Sequence, residues 1–261
     1  MWLEKIGKSV GNYFSARPHM FGYLGRIVSS ALVFLKKEKA AKKILIMQLL
    51  FTFIEALPLV AVLSAAIGGA IYLLGYSFLV SIGYSQLIYK LLVIIVIQEL
   101  GPILVAFIVT ARSATAIATE LGNMVVTHQI EAYVAIGIDP VSHLVTPRFI
   151  GVTLSVFFLN LYFSFCGILG PVICANFMAS VDSAGYFSGI FKELTIAAII
   201  TSVIKSFLFG MIISVVATYY GFNVERASTE VPVAGINAVG NSILGIIIVD
   251  VVIIIIPFIF S

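Results

Sequence analysis

Three ionisable residues lie inside segments of this sequence that are otherwise almost entirely apolar. Glu99 lies in "VIQELGPILV", Lys205 in "TSVIKSFLFG" and Asp250 in "GIIIVDVVIIII". An isolated charge at the centre of a lipid bilayer costs about 2.5–3.5 kcal/mol on insertion scales, so such residues are candidates for a functional site. Two acids and one base at similar depth are expected to neutralise one another or to line a polar cavity. A buried salt bridge that only fixes the register of the helices is the structural alternative.

The residues around Glu99 predict an irregular helix at the same depth. Gln98 precedes the carboxylate, and the pair Gly101-Pro102 follows it. Proline lacks a backbone donor and clashes with the preceding turn, so we expect a kink just after Glu99. Irregular backbone is tolerated inside a membrane where protein or water satisfies its polar groups. The stretch therefore predicts a kinked helix whose middle belongs to a cavity wall and not to a lipid-facing surface.

The sequence favours a protein without catalytic activity of its own. It has no Gly-x-x-x-x-Gly-Lys-Ser/Thr loop, so we do not expect it to bind ATP in the usual way. The three histidines, His19, His128 and His143, are scattered outside the apolar segments, and no His, Cys and acid cluster has metal-ligand spacing. Serines and threonines inside the apolar segments have no histidine at matching depth to act as a base. We expect neither an enzyme nor a metal or cofactor site.

The composition is that of an integral membrane protein. Hydrophobic residues make up 61% of the 261 residues and charged residues only 10%, whereas a soluble domain averages about 25% charged. A helix needs about 20 apolar residues to cross the hydrocarbon layer of a bilayer, and five stretches reach that length. They are Ile44–Tyr76, Leu87–Met124, Phe149–Met178, Leu194–Phe222 and Val233–Phe260. We predict an all-α fold in which residues 44–261 form one domain of five transmembrane helices.

Residues 1–43 are predicted to form a basic amphipathic segment at the membrane surface. In residues 21–35 apolar side chains, among them Leu24 and Val28, recur at three- and four-residue spacing. Such a helix commonly lies in the interface, although a cytosolic helix packed on a partner is an alternative. Nine of the fifteen lysines and arginines precede Ile44, so the positive-inside tendency places the N-terminus in the cytoplasm. The two loops on that side hold Arg148 and Arg226.

A short helix is predicted in the cytoplasmic loop between the second and third transmembrane helices, at about residues 127–138. Ile130, Tyr133 and Val134 lie on one face, and Asp139-Pro140 ends the helix. Such an element acts either as a structural clasp or as a docking site for another protein, and the pattern does not separate the two. Just before this loop, Arg112 and Glu120 are expected at the inner membrane boundary, where long polar side chains reach water.

Several motifs in order resemble the MlaE-type permease family. They are "QELGPILVAFIVTARSATAIATELGNM", "VTHQIEAYVAIGIDPVSHLVTPRF", "IKSFLFG" and "YYGF", and the resemblance runs from about residue 48 to the C-terminus. It implies the membrane subunit of an ABC transporter that moves phospholipid, or a related lipid, between the inner and outer membranes of Gram-negative bacteria. Such a subunit would be a multi-pass protein of the inner membrane, and its transport would contribute to the lipid asymmetry of the outer membrane.

The resemblance also implies partners and residue roles. The expected partners are a second copy of this chain, a cytoplasmic ABC ATPase dimer that binds the ATP, a periplasmic hexamer of Mce-domain proteins, a possible small accessory subunit and membrane lipid, with no nucleic acid. Gln98, Glu99, Lys205 and Asp250 would lie at or near a lipid pocket between the two permease chains. The loop helix would couple to the ATPase through Gln129, Ile130, Glu131, Tyr133 and Asp139.

One departure from the family affects the expected ligand contact. Many members carry arginine where this chain has Gln98, so a basic residue that could meet a lipid phosphate is missing there. Two other functions fit the intramembrane charges. An ion- or proton-coupled secondary carrier would use Glu99, Lys205 and Asp250 directly. A membrane scaffold that transports nothing would need them only as structural pairs.

Overall fold

The computed structural model of the protein describes residues 17–34, 39–178, 183–225 and 227–259, and this part of the chain contains helices and turns but no strand. Five helical stretches in it are long and apolar enough to cross a membrane. We call them the first to fifth spans, and they are Lys43–Ser81, Leu87–Val126, Val141–Ile173, Ile196–Phe222 and Glu230–Ile256. The predicted all-α membrane fold with five transmembrane helices is confirmed.

The spans are built from consecutive helices, and several include a turn of different pitch. In chain order the α-helices are α1 (Arg17–Phe34), α2 (Lys39–Phe53), α3 (Leu57–Ser81), α4 (Leu87–Leu92), α5 (Gly101–Val109), α6 (Thr115–Val126), α7 (Gln129–Ala135), α8 (Thr146–Met178), α9 (Ser183–Glu193), α10 (Ile196–Phe222) and α11 (Glu230–Ile259). A 3-10 turn, Ile54–Ala56, joins α2 to α3. The π-helical segments are Val93–Leu100, Thr110–Ala114 and Val141–Val145.

One helix outside the spans was not predicted. α9 lies between the third and fourth spans, and its Tyr186 is buried with its hydroxyl donating to Ile168 O at 2.9 Å. Burial raises the pKa of this hydroxyl. The rings of Tyr72 and Tyr89 both meet the ring of Tyr186 edge-on. The aromatic cluster holds α9 against the ends of the first and second spans.

The N-terminal helix packs on the bundle near the loop that carries α7. The predicted helix in residues 21–35 is confirmed by α1, while residues 1–16, 35–38 and Arg226 lie outside the described part of the chain. Ile27 is fully buried against Val145, Phe149 and Val215, although it was not part of the predicted apolar stripe. Tyr23, one turn earlier, is half-buried, and the desolvation of its hydroxyl raises its pKa to about 12. The end of the molecule with α1, α7 and Val141–Val145 is called the loop end below, and the distribution of basic residues predicts that it is cytoplasmic.

Small residues let the first and third spans approach closely. A Cβ atom added to Gly68 would collide with the backbone carbonyl of Gly167, and one added to Gly170 would collide with the backbone of Ala65. In a membrane, helices gain no hydrophobic free energy from association, so close packing of small residues is a main source of their attraction. The first and third spans are therefore in contact along much of their length.

The fifth span leaves most of its surface uncovered. Ile236, Ile248 and Val252 have half or more of their surface exposed. An apolar surface of this kind is expected to face lipid or a partner subunit.

Replacing Gly68 by alanine should destabilise the fold. The added methyl group has no space unless the first and third spans separate, and overpacking of this kind costs about 1–3 kcal/mol. The measurement is the thermal midpoint of the full chain in detergent. The matched control is Gly240→Ala in α11, where an added Cβ meets no atom within 4 Å. An unchanged midpoint for Gly68→Ala would show that the two spans are not packed as described.

Candidate functional site

One buried lysine connects three of the five spans. Lys205 of the fourth span has no exposed surface, and its Nζ donates a hydrogen bond to Glu99 Oε2 of the second span at 2.5 Å. The same nitrogen lies 2.9 Å from Asp250 Oδ1 of the fifth span, at ion-pair distance. The structure thus brings together the three residues that the sequence marks as intramembrane charges. We call them the ion triad.

The two carboxylates of the ion triad differ in their access to the surface. The Glu99 side chain is 27% exposed, whereas that of Asp250 is only 10% exposed. Burying charges is unfavourable unless opposite charges are close and hydrogen bonds are made. Lys205 meets both conditions with Glu99, whereas its contact with Asp250 Oδ1 is an ion pair without a hydrogen bond. Two carboxylates face one ammonium group, so the triad has one formal negative charge in excess. Glu99 is the member whose position best allows contact with a ligand.

The backbone around Glu99 is π-helical. The segment Val93–Leu100 contains Gln98 and Glu99, and it ends where the Gly101 N–H bonds to Val96 O, five residues back. Pro102 follows in the first turn of α5, directly after the π-helical segment. The helix is therefore irregular close to the predicted kink, but the irregularity is a π-helical segment before the proline. Single π-helical turns are frequent at functional sites.

A neutral polar pair beside the ion triad was missed in the sequence analysis. Asn160 of the third span is fully buried, and its Nδ2 donates to Ser202 Oγ of the fourth span at 2.8 Å. A Cβ atom on Gly101 would lie 2.8 Å from Asn160 Oδ1, so only glycine fits against this amide. The sequence does indicate this pair, because an asparagine in the middle of an apolar span needs a hydrogen-bond partner.

The two predicted boundary charges both form ion pairs with residues that the sequence analysis did not select. Arg112 donates to Glu55 O and to a Glu55 carboxylate oxygen, each at 2.7 Å, and thereby ties the second span to the 3-10 turn in the first. Glu120 pairs with Arg148 at 2.7 Å and so ties the second span to the third. The arginine of this pair is buried, with only 4% of its side chain exposed, whereas the glutamate is partly exposed.

The loop helix is shorter than predicted, and part of its apolar surface is exposed. α7 covers Gln129–Ala135, within the predicted 127–138. Ile130 and Tyr133 pack towards the core, whereas Val134 is 60% exposed, and Ile136 just after the helix is 71% exposed. Val134 lies about 40° from Ile130 around the helix, so it stands at the edge of the predicted face, where the bundle does not cover it.

Two of the predicted coupling residues have local structural contacts. Asp139 accepts from Ser142 N at 3.1 Å and lies 3.6 Å from Arg26, so it links α1 to the segment after α7. Glu131 pairs with His128 Nδ1 at 3.0 Å across the start of α7. His128 has a left-handed backbone conformation with φ of 57°, which reverses the chain direction between the second span and α7.

At the loop end of the described part of the chain there are two cavities of substantial volume. The larger, of about 770 Å³, is lined by α2, α6 and the start of the third span, and we call it the inner cavity. The smaller, of about 540 Å³, lies between α1 and the loop around Asp139. Residues of the ion triad line neither of them, so a lipid pocket beside Glu99 stays a prediction.

Comparison with known proteins identifies relatives along nearly the whole chain. The family model described as Permease MlaE matches residues 45–256. A probable ABC transporter permease protein of Rickettsia prowazekii is 29% identical over 94% of this chain and 95% of its own length. The intermembrane phospholipid transport system permease protein MlaE of Haemophilus influenzae is 23% identical over 95% and 94% of the two chains. The chloroplastic protein trigalactosyldiacylglycerol 1 of Arabidopsis thaliana is 29% identical over 65% of this chain and 48% of its own.

Replacing Lys205 by methionine should destabilise the protein strongly. The change leaves two carboxylates buried together without a counter-charge, and breaking a buried pair in this way costs about 3–5 kcal/mol. Neutralising all three residues, with Lys205→Met, Glu99→Gln and Asp250→Asn, should restore most of the loss. Thermal unfolding of the full chain in detergent measures both effects.

The control is Lys192→Met, because Lys192 is exposed on α9 and the substitution removes the same positive charge. A triple variant no more stable than Lys205→Met alone would show that the ion triad is not held by charge pairing.

Proposed function

This chain belongs to the MlaE permease family, and we propose that its transporter moves phospholipid, or a related lipid, between the inner and outer membranes. The chain itself is a multi-pass membrane protein and the permease subunit of a transporter. The observation that carries the lipid proposal is the match along 95% of the chain to a permease of an intermembrane phospholipid transport system. Such transport would contribute to outer-membrane lipid asymmetry.

The uncovered apolar surfaces support a proposed assembly. We propose a homodimer in the inner membrane, because the fifth span leaves an isoleucine-rich face exposed that a second copy could cover in part. An ATPase dimer would bind at the loop end, and a hexamer of Mce-domain proteins, with a possible small accessory subunit, would complete the transporter. ATP would be bound by the ATPase, and the permease would need no cofactor of its own.

The exposed side of the loop helix supports the proposed ATPase contact. Val134 and Ile136 present two large apolar side chains next to the charged Glu131 on a short element fixed to the bundle by Ile130 and Tyr133. Exposed apolar side chains rimmed by polar groups are typical of protein interfaces. Movement of the ATPase would reach the second and third spans directly, since α7 lies between them in the chain.

The ion triad supports a role for Glu99 in the lipid path. Lys205 holds three spans together, and the partly exposed Glu99 leaves a polar point in surroundings that are otherwise apolar. An apolar path with few polar groups suits a lipid substrate. No observation favours the secondary-carrier alternative, because the charges that it would use are paired with one another.

The purified chain alone should hydrolyse no ATP, and the chain isolated from its native membranes should bring an ATPase with it. Replacing Val134 or Ile136 by aspartate should release that ATPase, because each change places a charge in the proposed apolar contact. Co-purification followed by an ATPase assay measures this. Two variants of Glu225, which is exposed in a neighbouring loop, serve as controls. Glu225→Asp keeps the negative charge and Glu225→Lys reverses it, so they show whether a change of charge at the loop end outside α7 has any effect on ATPase binding. Isolation from native membranes without any ATPase would contradict the proposal.

Replacing Glu99 by glutamine should reduce ATP-driven lipid transfer by the reconstituted transporter more than Asp250→Asn does. Both variants remove one negative charge from the ion triad, but only Glu99 is exposed enough to contact a lipid. Transfer of labelled phospholipid between donor and acceptor membranes gives the rates. Glu99→Lys should abolish transfer, because it places a second positive charge beside Lys205. Equal losses for Glu99→Gln and Asp250→Asn would indicate a purely structural role for the triad.

A further inference from the structure

The inner cavity has the chemistry of a second lipid site, away from the ion triad. We propose that it binds the phosphodiester headgroup of a zwitterionic membrane phospholipid, with the start of an acyl chain against its apolar wall. The choice of a lipid as the ligand rests on the proposed function. The site itself rests on one buried arginine, the charges around it and the membrane-facing surface that adjoins it.

Arg148 supplies a fixed cationic group to the cavity. It lines the cavity and is only 4% exposed. Its Nη1 donates to Leu144 O at 2.9 Å, and its Nη2 pairs with Glu120 at 2.7 Å. A guanidinium group has five donors in one plane, so these two contacts fix its orientation and leave donors for a further acceptor. A pre-oriented guanidinium is well suited to phosphate oxygens.

The lining has two cations and one acid. Lys43 lies on α2, where the first span begins, and it joins Arg148 in the lining, while Glu120 is the single carboxylate. The excess positive charge favours a phosphate, and the half-exposed Glu120 can pair with the ammonium group of the same headgroup. Gln48 and Asn123 add neutral hydrogen-bonding groups. A zwitterionic phosphodiester therefore complements the lining better than a simple anion does.

The remaining lining is apolar and continues onto the surface of the first span. Met47 and Phe51 line the cavity and are 59% and 39% exposed, and Leu50 beside them is 45% exposed. This face belongs to a membrane span, where the solvent is lipid. A volume of about 770 Å³ lies within the usual range for small-molecule sites, about 300–1,000 Å³. An acyl chain could thus leave the cavity along the first span without crossing water.

The test measures binding to the full chain alone, in detergent, by native mass spectrometry. The probes are dioctanoyl-phosphatidylethanolamine, dioctanoylglycerol and inorganic phosphate. We expect the phosphatidylethanolamine to bind about tenfold tighter than dioctanoylglycerol, through its charge-assisted contacts. Lys43→Gln should weaken that binding about three- to tenfold, and Met47→Trp should block it. Arg148→Lys keeps the charge but loses the planar donor set, so it should weaken binding in a chain that still folds.

Matched controls separate this site from other lipid contacts. Lys192→Gln removes the same charge at the opposite end, and Ile46→Trp enlarges an exposed side chain that does not line the cavity. Neither should change the affinity. Glu99→Gln should also leave this binding unchanged while it lowers transport, so a failure of the proposed lipid transport can be told apart from a failure of the site.

Three results would overturn the proposal. The first is equal affinity for dioctanoylglycerol, which would mean an apolar cavity without headgroup recognition. The second is inorganic phosphate that binds as tightly as the phospholipid, which would mean an anion site unrelated to lipid. The third is efficient disulfide formation between two Met47→Cys chains lacking Cys166 and Cys174, which would mean that a second copy covers the cavity.

Discussion

The contact of one ammonium group with two carboxylates determines how the second, fourth and fifth spans are arranged. Lys205 is completely buried and lies within 3 Å of an oxygen of each acid. In a membrane none of the three residues is stable alone, because water is not available to solvate it. The pairing therefore fixes both the depth and the rotation of the three helices. It also places Glu99 at the edge of the group, where the side chain keeps part of its surface free.

The other contacts of the bundle follow from the same lack of water. Some polar side chains inside the spans have partners on neighbouring helices, as Asn160 has in Ser202 and Arg112 in Glu55. Where no polar contact is made, glycine lets two backbones touch, as at Gly68. Both kinds of contact take the place of the hydrophobic effect that drives helices together in soluble proteins. The result is a first and a third span that pack tightly together, and a fifth span, packed on the second and fourth, whose apolar surface is largely open.

The loop end combines a rigid attachment with an exposed surface. Arg148 and Glu120 connect the third span to the second, and Arg26 connects α1 to Asp139 after the loop helix. These links hold α7 in place while Val134 and Ile136 stay exposed. An element that is fixed at its base and apolar at its surface can pass a partner's movement into the spans. The inner cavity lies next to this element, so Tyr133 of α7 contributes to its lining.

The sequence by itself determined the number and approximate limits of the spans, because a long apolar run with few charges is stable only as a membrane helix. It also predicted that Glu99, Lys205 and Asp250 either neutralise one another or line a polar cavity, and the tertiary structure decided that they pair. Only the tertiary structure decided which residues pair at the loop end. Glu55 lies inside the first apolar stretch and Arg148 in a loop of the predicted topology, and neither position indicates the partner on another helix. The π-helical form of Val93–Leu100, the helix α9 and the outward face of α7 likewise depend on packing against neighbouring spans, which apolar periodicity along one segment does not encode.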